Sequence, residues 1–158
     1  MRPTHARYTV GWMALASMVL GGVAADEPKA GGRPAVEQLR GAWRPESVTE
    51  GGRKLTGADL EVYRGMTLTI QEGKSTLKAA DGTVLSACEL KLDAGRDPKT
   101  FDAKEVEGLG VGRIYKGVWE IEGDTLKWCF STKDRPKGFE DKEEADFFLL
   151  VLRRQKPK

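Results

Sequence analysis

The chain has 158 residues, with 26 Lys and Arg against 24 Asp and Glu, 39% hydrophobic residues and a single histidine, His5. That near-neutral balance argues against a phosphate-tracking surface for nucleic acid and against a polybasic membrane patch. Two cysteines without CxxC spacing provide neither a zinc ribbon nor a dithiol redox motif.

Arg2 and Arg7 precede an uncharged run from Tyr8 to Ala25, which is the layout of a secretory signal peptide. Val23-Ala-Ala25 offers the small side chains a signal peptidase reads, so cleavage is expected before Asp26. The strongly apolar part is short for a bilayer span and rich in Gly and Ala, which favours a cleaved signal over a stable membrane anchor. The expected location is periplasmic or extracellular. Loss of residues 1–25 takes His5, Arg2 and Arg7 with it and leaves 133 residues carrying 24 cationic and 24 anionic side chains. Without histidine, such a chain has no Ser-His or Cys-His nucleophilic pair and no His-containing zinc or copper site. Nothing resembles an activated nucleophile, so the expectation is a noncatalytic single domain with no cofactor and no catalytic residues.

Residues 26–35 read as a flexible leader, too polar and Pro/Gly-rich to bury anything. The folded domain is expected over 36–155. Ala35-Val-Glu-Gln-Leu-Arg40 makes a short helical turn at its start, and a second helix is expected over Gly57–Arg64. Eight strand signals follow at short intervals: Trp43–Val48, Met66–Gln71, Ser75–Lys78, Thr83–Leu92, Thr100–Val106, Arg113–Ile121, Thr125–Ser131 and Phe147–Arg153. Gly beside Asp or Lys between alternating runs is hairpin chemistry. Met66, Leu68 and Ile70 alternate with Thr67, Thr69 and Gln71, so one face is buried and one is wet. Gly117 interrupts the inward set Tyr115, Trp119 and Ile121, either to leave space or to mark a bulge. An even meander of eight favours closure into an antiparallel up-and-down barrel with one or two short helices.

Period-two counting also bears on the cysteines. Cys88 shares a face with Leu90 and Leu92, whereas Cys129 lies opposite Leu126, Trp128 and Phe130. One thiol points inward and the other outward, so separate packing roles are favoured over a disulfide.

Leu39-x-Gly-x-Trp43, Asp97-Pro-Lys-Thr-Phe-Asp102, Gly112-x-Ile-Tyr115, Gly123-Asp-Thr-Leu-Lys-Trp-Cys-Phe130, Arg135-Pro136 and Leu150-Val-Leu-Arg153 together resemble the planctomycete uncharacterised domain family. The likeness spans nearly all of residues 36–154. It implies a lipocalin-like barrel, often exported, with no established activity. Lipocalins also carry Gly-x-Trp on the first strand, with an arginine near the end of the last strand across the indole. Gly41 and Trp43 match the first element, and Arg153 or Arg154 supplies the second. Trp43 is then either a ligand wall or a plug at the closed end, and a cation stacked on Trp suits the plug. The acidic run Phe139–Asp146 departs from the family pattern.

Glu140, Asp141, Glu143, Glu144 and Asp146 lack the alternation and glycine of an EF-hand loop and read as a solvated segment. Gly108-Leu-Gly-Val-Gly112 has no following Lys-Ser/Thr and precedes a strand, so it reads as a hairpin link. Asp97 and Asp102 with Glu105 invite a glycosidase pair, yet Asp97-Pro98 is ordinary turn chemistry. Two functions from different classes stand. In one, Leu68, Tyr115, Trp119, Trp128 and Phe130 line a cavity for a small apolar or amphipathic ligand; in the other, the same side chains fill a solid barrel that serves as a protein-interaction or structural module at the cell exterior.

Overall fold

The computed structural model of the protein describes residues 34–140 and 145–157. The expected signal peptide, most of the leader, and Asp141, Glu143 and Glu144 of the acidic run lie outside these residues. Eight long or mid-length strands form one closed antiparallel barrel: β1 (Gly41–Glu50), β3 (Thr67–Gln71), β4 (Lys74–Lys78), β5 (Val84–Asp93), β6 (Lys99–Gly108), β7 (Ile114–Glu122), β8 (Thr125–Ser131) and β9 (Phe147–Arg154). Each pairs with its neighbour in sequence, and β1 closes on β9 through seven residue pairs from Trp43↔Arg154 to Glu50↔Phe148. A two-residue strand, β2 (Arg53–Lys54), hangs on the end of β1 and is the one addition to the eight expected strands. It escapes sequence reading because two charged residues carry no alternation.

The helices are α1 (Ala35–Gln38) and α2 (Gly57–Arg64), the latter at its expected limits. Among the described residues no helix is long and apolar enough to cross a membrane. The strand directions alternate, so α1, the β3–β4, β5–β6 and β7–β8 turns and the chain's end gather at one end of the barrel. The β2–α2 segment and the β4–β5, β6–β7 and β8–β9 connections form the other rim.

The inner cluster runs through the barrel from Leu39 and Trp43 to Leu90, Phe101 and Trp128. A second, smaller cluster lies on the outer wall, where Val118, Cys129 and Phe147 are buried with Phe139 and Leu149 packed on them. Cys88 belongs to the inner cluster and Cys129 to the outer one, as period two requires, and no disulfide joins them. Outward-facing Cys129 is nevertheless fully buried, because Phe139 from the β8–β9 segment covers that side. Arg135 fastens the same segment: its guanidinium donates to the carbonyls of Phe101 (2.7 Å) and Gly117 (2.9 Å) and to Asp102 Oδ1 (2.5 Å).

Candidate functional site

The two ends of the barrel differ. At the α1 end Trp43 is completely buried, and its indole N–H donates to the Leu39 carbonyl at 2.9 Å. Arg154 lies over the ring, its guanidinium carbon 4.2 Å from the centroid. The same guanidinium donates to the carbonyls of Arg40 (2.8 Å) and Gln38 and sits 3.6 Å from Asp124 Oδ1. Gly41 has φ +130°, and a side chain there would meet Arg154 Nη1 at 3.1 Å. Of the two arginines expected to supply the latch, Arg154 does so. Arg153 points outward and pairs with Glu46 at 3.0 Å, because residues one apart on a strand face opposite sides. This end is shut.

The opposite half holds a cavity of about 710 Å³, open at the rim built by α2 and the β6–β7 and β8–β9 connections. Leu68, Tyr115, Trp128 and Phe130 all line it, together with Phe148 and Leu150 of β9. Phe101 and Trp128 stack at 3.7 Å between ring centroids, 18° from parallel, and make its floor. Phe130 links Tyr115 (edge-on, 5.6 Å) to Phe148 (stacked, 5.2 Å) along one wall. Gly117 leaves the floor its room, since a Cβ there would fall 2.2 Å from the Phe101 ring.

Trp119 corrects the expectation. It shares the inward face of Tyr115 but stands four residues further along β7, about 13 Å at the rise of a strand, towards the shut end. There it is buried outside the cavity lining, with its indole N–H donating to the Thr100 carbonyl at 3.2 Å.

Sequence reading named Glu105 only as a possible glycosidase carboxylate and did not join it to Tyr115 or Arg113. Glu105 is only 3% exposed and follows Phe101 and Ala103 on the inward face of β6. Tyr115 donates its hydroxyl proton to Glu105 Oε2 at 2.7 Å, and the Gly110 N–H donates to Oε1 at 3.2 Å. Gly108 and Gly110 are required here: a Cβ on either would come within 2.4 Å of the carboxylate. The glycine-rich connection is thus shaped around a buried carboxylate. Arg113, beside the Tyr115 hydroxyl, favours its ionised form in part, and the residue lines the cavity at its mouth. Burial first, then the bond and charge of Glu105, push the Tyr115 hydroxyl up to about 12, so it stays protonated near neutrality. Burial likewise pushes up the thiol of Cys88, which lines the cavity without thiolate character.

Asp102 faces outward to Arg135 while Glu105 faces inward, so the two carboxylates do not converge on one reacting bond. Among the described residues no cluster of three or more acidic, Cys or His side chains is placed to hold a metal. No protein family, curated protein or solved structure matches this chain.

Proposed function

We propose that the protein is an exported, noncatalytic carrier that takes a small apolar or amphipathic molecule into the open half of its barrel. The cavity carries this reading: about 710 Å³, largely apolar, closed below and open at one rim. Ligand pockets typically span roughly 300–1,000 Å³ with a few placed polar groups, and the Tyr115–Glu105–Arg113 cluster at the mouth fits that description. The noncatalytic part rests on opposed carboxylates and on a domain whose sequence has no histidine beyond His5.

An environment-sensitive apolar dye should bind the wild-type domain saturably. Ala103 lines the cavity from β6, so Ala103→Trp should abolish that binding while thermal unfolding stays cooperative; Ser86→Trp, on the neighbouring strand β5, repeats the test. Absence of saturable binding to wild type, or binding indifferent to both fillings, overturns the carrier reading.

A second reading, a protein-interaction module at the cell exterior, draws on the β6–β7 hairpin. Val106, Leu109, Val111 and Ile114 are all exposed there, and such grouping marks interaction surfaces. A module of that kind has no need of the cavity, and the dye separates the two. Export, and kinship with the planctomycete uncharacterised domain family, belong to the same proposal and rest on the Arg-flanked apolar run and the ordered motifs. Intact mass of protein from the native host should begin at Asp26 or within a residue or two; a membrane-retained, uncleaved chain overturns export.

A further inference from the structure

Among the described residues, two charged side chains line the cavity, Arg113 and Asp146. Asp146 is already paired, with Lys133 Nζ 2.7 Å from Oδ2. Arg113 belongs to none of the ion pairs among the described residues. Its guanidinium offers five N–H donors in a planar fork and lies near the Tyr115 hydroxyl. The neighbouring carboxylate, Glu105, is occupied on both oxygens, by Tyr115 and by Gly110. It orients Tyr115 and forms no ion pair with Arg113.

Position adds to this. Arg113 stands at the rim, whereas the walls and floor below it are Phe130, Phe148, Leu150, Phe101 and Trp128. A molecule filling the space therefore meets apolar surface along its length and a cation at one end. A planar, always-charged guanidinium matches a carboxylate bidentately, and charge-assisted bonds of this kind are about twice as strong as neutral ones.

We propose that the cavity selects amphipathic carboxylates, with the alkyl tail on the Phe101–Trp128 floor and the head held by Arg113 beside the Tyr115 hydroxyl. This rests on the carrier reading, and the experiment keeps the two apart. Dodecanoate, dodecanol and dodecylamine share a tail and differ only in the head. Each competes against a cavity-bound apolar dye on the full chain. Wild type should bind dodecanoate about tenfold tighter than dodecanol, the scale of one charge-assisted bond, and dodecylamine weakest. Arg113→Gln should erase the dodecanoate advantage and leave dodecanol within about twofold, as a head-group contact requires. Arg113→Lys, which keeps the charge and loses the fork, should retain part of it. Dye binding with dodecanoate and dodecanol equal in wild type, a preference for dodecylamine, or an advantage that survives Arg113→Gln overturns the carboxylate proposal while leaving the carrier. Failure of all three amphiphiles and of the dye defeats the carrier itself.

Discussion

Trp43→Ala is expected to destabilise the domain by about 3–5 kcal/mol, the range for deleting a large buried aromatic. The mechanism is compound. The indole is fully buried at the shut end, and its removal leaves a void that the closing β1–β9 pair cannot collapse without breaking its ladder. The Leu39 carbonyl loses its 2.9 Å donor, and Arg154 loses the ring beneath it. Because Arg154 also ties the backbone of Gln38 and Arg40 to the end of β9, the loss spreads to the join between α1 and the barrel. Trp43→Phe keeps most of the packing and forfeits the hydrogen bond, so a cost of about 1–2 kcal/mol is expected. Arg154→Met should interact with Trp43→Ala non-additively, since both remove the same contact. The measurement is a chemical melt at equilibrium. A Trp43→Ala cost below about 1 kcal/mol would show that this end is held shut by something other than the indole. Dye affinity of the folded variant should not change, because Trp43 lies outside the cavity lining.

Much of this architecture is written in the alternation of the chain. Met66–Gln71 and Thr125–Phe130 each announce a half-buried strand, and Asp, Gly and Lys between the runs announce the turns. The opposite facing of Cys88 and Cys129 follows from the same count. Counting by twos from Leu150 and Leu152 also selects Arg154 over Arg153, so that choice was available without coordinates. What period two does not carry is height along a strand. Trp119 and Tyr115 share a face, yet only one reaches the cavity, because closure fixes where the shut end stops and the open half begins. The bulge between Pro45 and Ser47 is similarly silent, and it shifts the register of β1 against β9. Glu105 did leave a signal, a carboxylate in phase with Phe101 and Ala103 just before three spaced glycines. A charge on an inward face needs hydrogen-bond donors, and small residues close by let backbone N–H groups supply them. Phe101 left none, because its role depends on facing a glycine across the ladder, at Phe101↔Gly117.

That pairing supports the second large effect. Gly117→Ala adds one methyl group, yet a Cβ at this position would stand 2.2 Å from two atoms of the Phe101 ring and 2.5 Å from the Cys129 carbonyl oxygen. The ring can retreat only by leaving its 3.7 Å stack on Trp128 and entering the cavity. The carbonyl can retreat only by distorting the β7–β8 ladder, where Val118 pairs with Cys129. Arg135 stiffens the same spot, because it grips the carbonyls of both Phe101 and Gly117. Overpacking of a tight core costs about 1–3 kcal/mol, and two simultaneous clashes place this variant at the upper end, in contrast to the benefit of about 0.4–1 kcal/mol that Gly→Ala brings where space and backbone conformation allow it. Adding Phe101→Leu should recover only part of the loss, since it clears the ring and leaves the carbonyl in the way. The floor of the cavity responds as well: a displaced Phe101 ring occupies the space in which an alkyl tail would rest, so dye affinity should fall in Gly117→Ala and return in the double variant. Equilibrium unfolding and dye titration read the two effects separately. A cost below about 0.5 kcal/mol with unchanged dye affinity would mean that Phe101 is loosely seated and that the cavity floor is not set by Gly117.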